Sequence, residues 1–196
     1  MRMMKLQTMV FACLAGFSSL AVAHPAVSGG DDFIHGLQHT VLGLDHLLVM
    51  LGLGLWASGQ NLRFAAQVLA LFWLSMATGA LLGGHGLSFT GLESAVLLSL
   101  LLVGLALGLG TAKLPKAAIF LAIAAFAVVH GLDHGQEMPA AVSANLYIAG
   151  LLSAASLLYF GGWALGLSAR QAGLSGLIRV YGTMAGCAGA WLLFTV

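Results

Sequence analysis

The 196-residue sequence has little charge: 7% of its residues are Asp, Glu, Lys or Arg, whereas a typical soluble domain has about 25%. With 60% hydrophobic residues, the chain cannot build a water-facing surface. The sequence has no run of basic residues, which nucleic-acid binding requires, and this is missing from the chain as a whole. So is a Gly-Lys-Ser/Thr phosphate-binding loop. We therefore expect a membrane protein that contacts the lipid bilayer, binds no nucleic acid and does not use ATP itself.

Cysteine is also scarce, with only Cys13 and Cys187. Residues 1–23 have the pattern of a cleavable signal peptide, with a basic start, a short apolar stretch and a small-residue cleavage site. These features are supplied by Arg2, Lys5, residues 9–20 and Ala21-Val22-Ala23. An uncleaved first helix is the alternative, but the apolar stretch is short for a span. Cleavage would leave Cys187 alone, which excludes an intramolecular disulfide and a cysteine-rich metal site.

Apolar runs of about 20 residues, the length that crosses ~30 Å of hydrocarbon, predict an all-α membrane domain over residues 24–196. The six predicted spans are 33–57, 63–82, 91–110, 116–134, 140–167 and 177–196. If the mature N-terminus lies outside, every basic residue of the mature chain falls in an inward connection, as the positive-inside rule requires. These residues are Arg63, Lys113, Lys116, Arg170 and Arg179. The pattern predicts a multi-pass protein of the bacterial inner membrane with a periplasmic N-terminus.

The first predicted span carries histidines at helical spacing. In one straight helix, His35, His39 and His46 lie within about 40° of each other and form a stripe from the outer mouth towards mid-membrane. Asp45 lies near the bilayer centre, where an ionised side chain is costly unless it is paired or faces a polar cavity. The Asp45-His46 pair therefore predicts a functional site.

The fourth predicted span ends with a second set of ligand-type side chains. Imidazole and carboxylate groups bind Ni²⁺, Co²⁺ or Zn²⁺, although a single histidine in a membrane can equally be a hydrogen-bonded structural group. Both His-Gly-Leu-x-His strings, 35–39 and 130–134, fall on one side of the membrane, so we expect them to converge on one site. The predicted metal or proton path consists of Asp45, His46, His130 and His134, and the predicted metal site also includes His39 and Glu137.

Four further residues are weaker metal-binding candidates: His24, Asp32, His35 and His85. Signal cleavage would expose an α-amine beside the imidazole of His24, and the two nitrogens could chelate an ion. His85 stands in a Gly-Gly-His-Gly loop, where it could equally be a solvated residue. Met50 and Met76 lie among leucines and are expected to pack in the core.

The sequence resembles the HupE/UreJ family of nickel permeases and hydrogenase or urease accessory proteins. The likeness lies in a His24-Pro25 mature start, in the run Gly43-Leu44-Asp45-His46-Leu47-Leu48-Val49-Met50, and in His130-Gly131-x-x-His134-Gly135-x-Glu137-x-Pro139. It implies an inner-membrane carrier of Ni²⁺, sometimes Co²⁺, that supplies hydrogenase or urease maturation, with Asp45 and His46 as central transport residues. The ion would be the transported substrate, and no catalytic cofactor is expected. Thr40 stands where family members usually have Pro, and we expect it to straighten the start of the helix.

Two other classes compete with a permease. A membrane sensor, or a scaffold for metalloenzyme assembly, would keep the metal site without moving ions. A membrane di-iron hydroxylase also uses clustered histidines, but it needs adjacent His pairs, usually on the cytoplasmic face. The sequence has no His-His pair, so we do not expect an enzyme.

Overall fold

The computed structural model describes residues 32–110 and 114–195, so the predicted signal peptide, His24 and Lys113 lie outside the described residues. Within these two ranges the chain forms seven α-helices and no strand. The helices are α1 (Asp32–Leu42), α2 (Leu44–Ala57), α3 (Leu62–Gly84), α4 (Leu92–Leu109), α5 (Lys116–Gln136), α6 (Ala144–Gln171) and α7 (Ser175–Leu193). The all-helical prediction is confirmed for the described residues.

Four helices, α3 to α6, are long and apolar enough to cross a membrane, and the pair α1 and α2 adds a fifth if it forms one span. Helix α7 overlaps the sixth predicted span, but it contains Arg179 and four glycines and is not among these candidate spans. A multi-pass membrane protein is therefore supported by four to five spans. The sixth span and the signal peptide stay predictions.

The prediction of one straight helix over residues 33–57 was wrong. Helices α1 and α2 are bent by 81° at Gly43, which has an extended backbone with φ −71° and ψ 114°. A Cβ atom on Gly43 would lie 2.6 Å from Nδ1 of His46, so the bend also needs a residue without a side chain. Helix α1 is regular through Thr40, whose hydroxyl donates to the carbonyl of Gly36. The bend falls beyond that residue, and the histidines do not form one continuous stripe.

Glycines let the helices approach each other at backbone distance. Where α1 crosses α6, a Cβ atom on Gly36 would lie 2.1 Å from the carbonyl oxygen of Tyr147, and one on Gly150 would lie 2.1 Å from that of Phe33. Helices α3 and α5 meet in the same way at Gly79 and Gly131. Such close packing is the usual role of small residues between membrane helices. It fixes α1 and α5, which carry most of the histidines, against α6 and α3.

Candidate metal centre

Four imidazole rings from three helices lie together in the bundle. The ring centroid of His46, at the start of α2, is 4.3 Å from that of His134 and 5.0 Å from that of His130, both on α5. The ring of His39, on α1, is 4.9 Å from His134. The two histidine strings thus meet at His39 and His134, as expected, and His46, which follows the bend at Gly43, lies against the same α5 histidines. We refer to His39, His46, His130 and His134 as the histidine centre.

Three members of the histidine centre are buried, with exposed fractions of 7% for His46, 1% for His130 and 0% for His134. Within the described part of the chain, Nε2 of His46 and both ring nitrogens of His134 have no hydrogen-bond partner. Each buried polar atom left without a partner costs about 1–3 kcal/mol. This arrangement is unfavourable unless the nitrogens bind something that enters the centre.

In the neutral form of two of these rings, hydrogen bonds indicate which nitrogen carries the proton. Nδ1 of His46 lies 2.9 Å from Oδ1 of Asp45, and a carboxylate can only accept, so Nδ1 donates and Nε2 keeps its lone pair. Nδ1 of His130 likewise donates to the carbonyl of Phe126 at 2.9 Å. The nearest group to its Nε2 is the Ser99 hydroxyl at 3.5 Å, which already donates to a backbone carbonyl at 2.6 Å. Two buried Nε2 lone pairs are therefore available to a cation.

A second group of ligand atoms adjoins the first. His39, His134 and Glu137 each offer one atom, and the three atoms lie within 4.8 Å of one another, close enough to hold one metal ion. Nε2 of His39 is 2.8 Å from Oε2 of Glu137. This hydrogen bond lowers the pKa of Glu137, which follows the last residue of α5 and is half exposed. His134 belongs to both groups, so the two sets of ligands are continuous.

The weaker candidates lie elsewhere. The carboxylate of Asp32 accepts the backbone N–H of Ser143 at 2.8 Å, which ties the start of α1 to the start of α6. The ring of His35 packs edge-on against Tyr147 at 5.9 Å. His85 caps the end of α3 and is exposed. Of these three, His35 alone approaches the histidine centre, through Tyr147, whose ring is also 6.3 Å from that of His39.

Sequence reasoning missed two side chains near the centre. Asp133 is partly buried on α5, within electrostatic range of His46, Asp45 and Glu137. A signal for it was present, because Asp133-His134 repeats the Asp45-His46 dipeptide. Ser99, beside His130, had no such signal, since one serine in an apolar helix is ordinary.

These features define a class: a multi-pass helical membrane protein with a buried cluster of histidines and carboxylates. Comparison of the sequence identifies its family, because residues 12–192 match the HupE / UreJ protein family. The chain belongs to the HupE/UreJ family. It is similar to Protein HupE of Rhizobium leguminosarum bv. viciae, with 34% identity over 188 residues, 95% of this chain and 96% of that protein. No solved structure matches it.

Proposed function

We propose that this protein is a permease that carries Ni²⁺, or Co²⁺, across the bacterial inner membrane into the cytoplasm. The observation that carries the proposal is the set of buried ring nitrogens without partners in His46 and His134. Imidazole is a ligand that suits nickel, and borderline divalent ions share such sites. Membership of the HupE/UreJ family supports nickel or cobalt as the substrate.

The arrangement of ligands favours passage over permanent storage. An ion bound by His39, His134 and Glu137 can pass to His46 and His130 by exchanging one ligand at a time, because neighbouring rings in this series are no more than 5.0 Å apart. Conduction requires sites that bind well enough to admit an ion and weakly enough to release it. A series of small, overlapping ligand sets meets both requirements.

Asp45 has a supporting role in this scheme. Its carboxylate holds Nδ1 of His46, so Nε2 faces the ion with a lone pair. Such a hydrogen bond fixes the ring orientation and raises the basicity of a metal-binding imidazole. Binding and release of the ion would be coupled to protons, because an imidazole must be neutral to bind metal.

The proposed topology assigns the two ends of the bundle to the two sides of the membrane. We propose six spans, including α7, after a cleaved signal peptide, with the mature N-terminus in the periplasm. Lys116 and Arg170, which lie at the opposite end of the bundle from Glu137, would then face the cytoplasm, in keeping with the positive-inside rule. The histidine centre would open towards the periplasm, and the delivered ion would serve hydrogenase or urease maturation.

Uptake of radioactive nickel by cells that lack their own nickel permeases tests the proposal. We expect uptake with the parent protein, competed by unlabelled Co²⁺ but not by Mg²⁺, and no uptake with His46→Leu. Met50→Leu is the matched control, because Met50 is a buried residue one turn further along α2 and packs in the core. It should keep parental uptake at equal membrane expression. Absence of uptake by a correctly inserted parent would contradict the permease and favour a metal sensor or an assembly scaffold.

A further inference from the structure

The three tyrosines of the sequence differ in how their hydroxyl groups are satisfied. The hydroxyl of Tyr159 donates to the carbonyl of Ala65 at 3.0 Å, and that of Tyr181 donates to the carbonyl of Leu48 at 2.7 Å. Tyr147 is 1% exposed, yet its hydroxyl has no hydrogen-bond partner among the residues that the structure describes. Only in Tyr147, therefore, is a phenol hydroxyl buried without a structural use.

Tyr147 lies beside both histidines of α1, His35 and His39. It is in the first turn of α6, and its ring centroid is 5.9 Å from that of His35 and 6.3 Å from that of His39. The close contacts of Gly36 and Gly150 hold α1 and α6 together at this level, so the three rings cannot easily separate. The Tyr147 hydroxyl is also within electrostatic range of Glu137.

A phenylalanine would fill the same space without the cost of a buried, unpaired hydroxyl. The oxygen of Tyr147 is best explained by a transient partner that arrives with the substrate. A divalent transition-metal ion brings coordinated water, whose hydrogens need acceptors once the ion leaves bulk solvent. The phenol oxygen of Tyr147, whose ring lies near two histidines, is such an acceptor.

We propose that Tyr147 is a positioning residue for the approaching ion: its hydroxyl accepts a hydrogen bond from water on the metal as the ion moves from His35 to His39. This inference rests on the proposed function and extends it to a step outside the histidine centre. The hydroxyl lowers the barrier to reaching the centre and makes no contact with the ion once it is bound there. It therefore affects the rates of binding and release, and leaves the equilibrium affinity unchanged.

Tyr147→Phe tests the inference, with Tyr159→Phe as a matched control that loses a hydroxyl at a distance from the histidines. Ni²⁺ association and dissociation would be followed by stopped flow on the purified full-length protein, with equilibrium affinity and thermal unfolding measured in parallel. We expect Tyr147→Phe to slow both rates by the same factor, on the order of tenfold for one hydrogen bond to a charged group. Its dissociation constant should be parental and its Tm no lower. Tyr159→Phe should lower Tm and leave the Ni²⁺ rates unchanged.

The outcomes separate this inference from the function on which it rests. If the parent binds and transports Ni²⁺ and Tyr147→Phe matches its rates, the role of Tyr147 is overturned while the permease stands. Weaker equilibrium affinity together with a lower Tm would show a structural role for the hydroxyl and would also overturn the inference. A parent that binds no Ni²⁺ contradicts the proposed function first, and the inference with it.

Discussion

The two ends of the bundle differ in whether their buried polar groups have hydrogen-bond partners. At the histidine end, formed by the start of α1 and the end of α5, four buried side-chain atoms of the described residues have no partner: Nε2 of His46, both ring nitrogens of His134 and the Tyr147 hydroxyl. At the opposite, cationic end, Arg170 donates to the Ser58 hydroxyl, which donates in turn to the carbonyl of Leu55. Unsatisfied polar atoms are thus concentrated where the ligand-type side chains meet.

The cationic end also has open space, a cavity of about 430 Å³ lined by both apolar and basic side chains, including Trp56, Lys116 and Arg170. Lys116 lies over the ring of Phe64, with Nζ 5.5 Å from the ring centroid. Under the proposed function, the histidine end binds the ion, and the cationic end serves stability and membrane orientation.

We expect the largest loss of Ni²⁺ binding from a change at His134, whose ring belongs to both groups of ligands. His134→Leu keeps a similar buried volume and removes two nitrogens that have no partner, so the variant should fold with parental or higher stability. It should weaken Ni²⁺ binding by at least about 100-fold, since losing a ligand costs more than losing its supporting hydrogen bond. Isothermal titration of the purified protein, beside thermal unfolding, would check both expectations. Parental Ni²⁺ affinity in a folded variant would show that His134 does not bind the ion.

A smaller loss of Ni²⁺ affinity is expected from Asp45→Asn. The amide can hold the His46 ring in place but no longer supplies the negative charge opposite Nδ1. Changes to such supporting groups cost about 10–100-fold in metal affinity. Titration with Ni²⁺ measures this directly, and an unchanged affinity would show that Asp45 does not act through His46.

A change at a close contact between helices should lower the stability of the protein without changing how it binds metal. A Cβ atom on Gly162 would lie 2.2 Å from the carbonyl oxygen of Leu51, whereas one on the adjacent Gly161 meets its nearest atom at an ordinary 3.9 Å. Gly162→Ala should lower the free energy of unfolding by about 1–3 kcal/mol through overpacking, and Gly161→Ala should not. Thermal or chemical unfolding of the pair checks this. Equal stability of the two variants would contradict the close contact of α2 and α6.

The smallest effect is expected at the cationic end. Ser58→Ala removes the hydroxyl that bonds Arg170, at a cost of about 0.5–1.5 kcal/mol in stability. Its Ni²⁺ affinity should equal that of the parent. A clear loss of Ni²⁺ affinity in this variant would show that the cationic end also contributes to metal binding.

Much of the fold was predictable, because apolar runs of spanning length set the helices. The predicted spans agree with α3, α4 and α5 to within a few residues, whereas α6 begins at Ala144 instead of residue 140. The bend at Gly43 was not predictable from hydrophobicity, since its neighbours Val41, Leu42 and Leu44 form a continuous apolar run. It depends on a backbone conformation and on the close approach of His46.

For the site, the sequence supplied the residue types but could not supply their hydrogen bonds. The placement of both His-Gly-Leu-x-His strings on one side of the membrane was enough to predict that they converge. Which nitrogens remain without partners depends on groups such as Phe126 and Ser99, which carry no chemical signal in the sequence. Tyr147 was missed for the same reason, because a tyrosine in a membrane helix is unremarkable until its hydroxyl is found unpaired.

Transport of Ni²⁺ into proteoliposomes that contain only the purified protein tests the central claim most directly, with a metal-quenched dye inside and His134→Leu as the comparison. We predict quenching that depends on the parent protein and disappears in the variant. Binding of Ni²⁺ to the parent at the outer face, with no quenching of the enclosed dye, would contradict a path through the histidine centre.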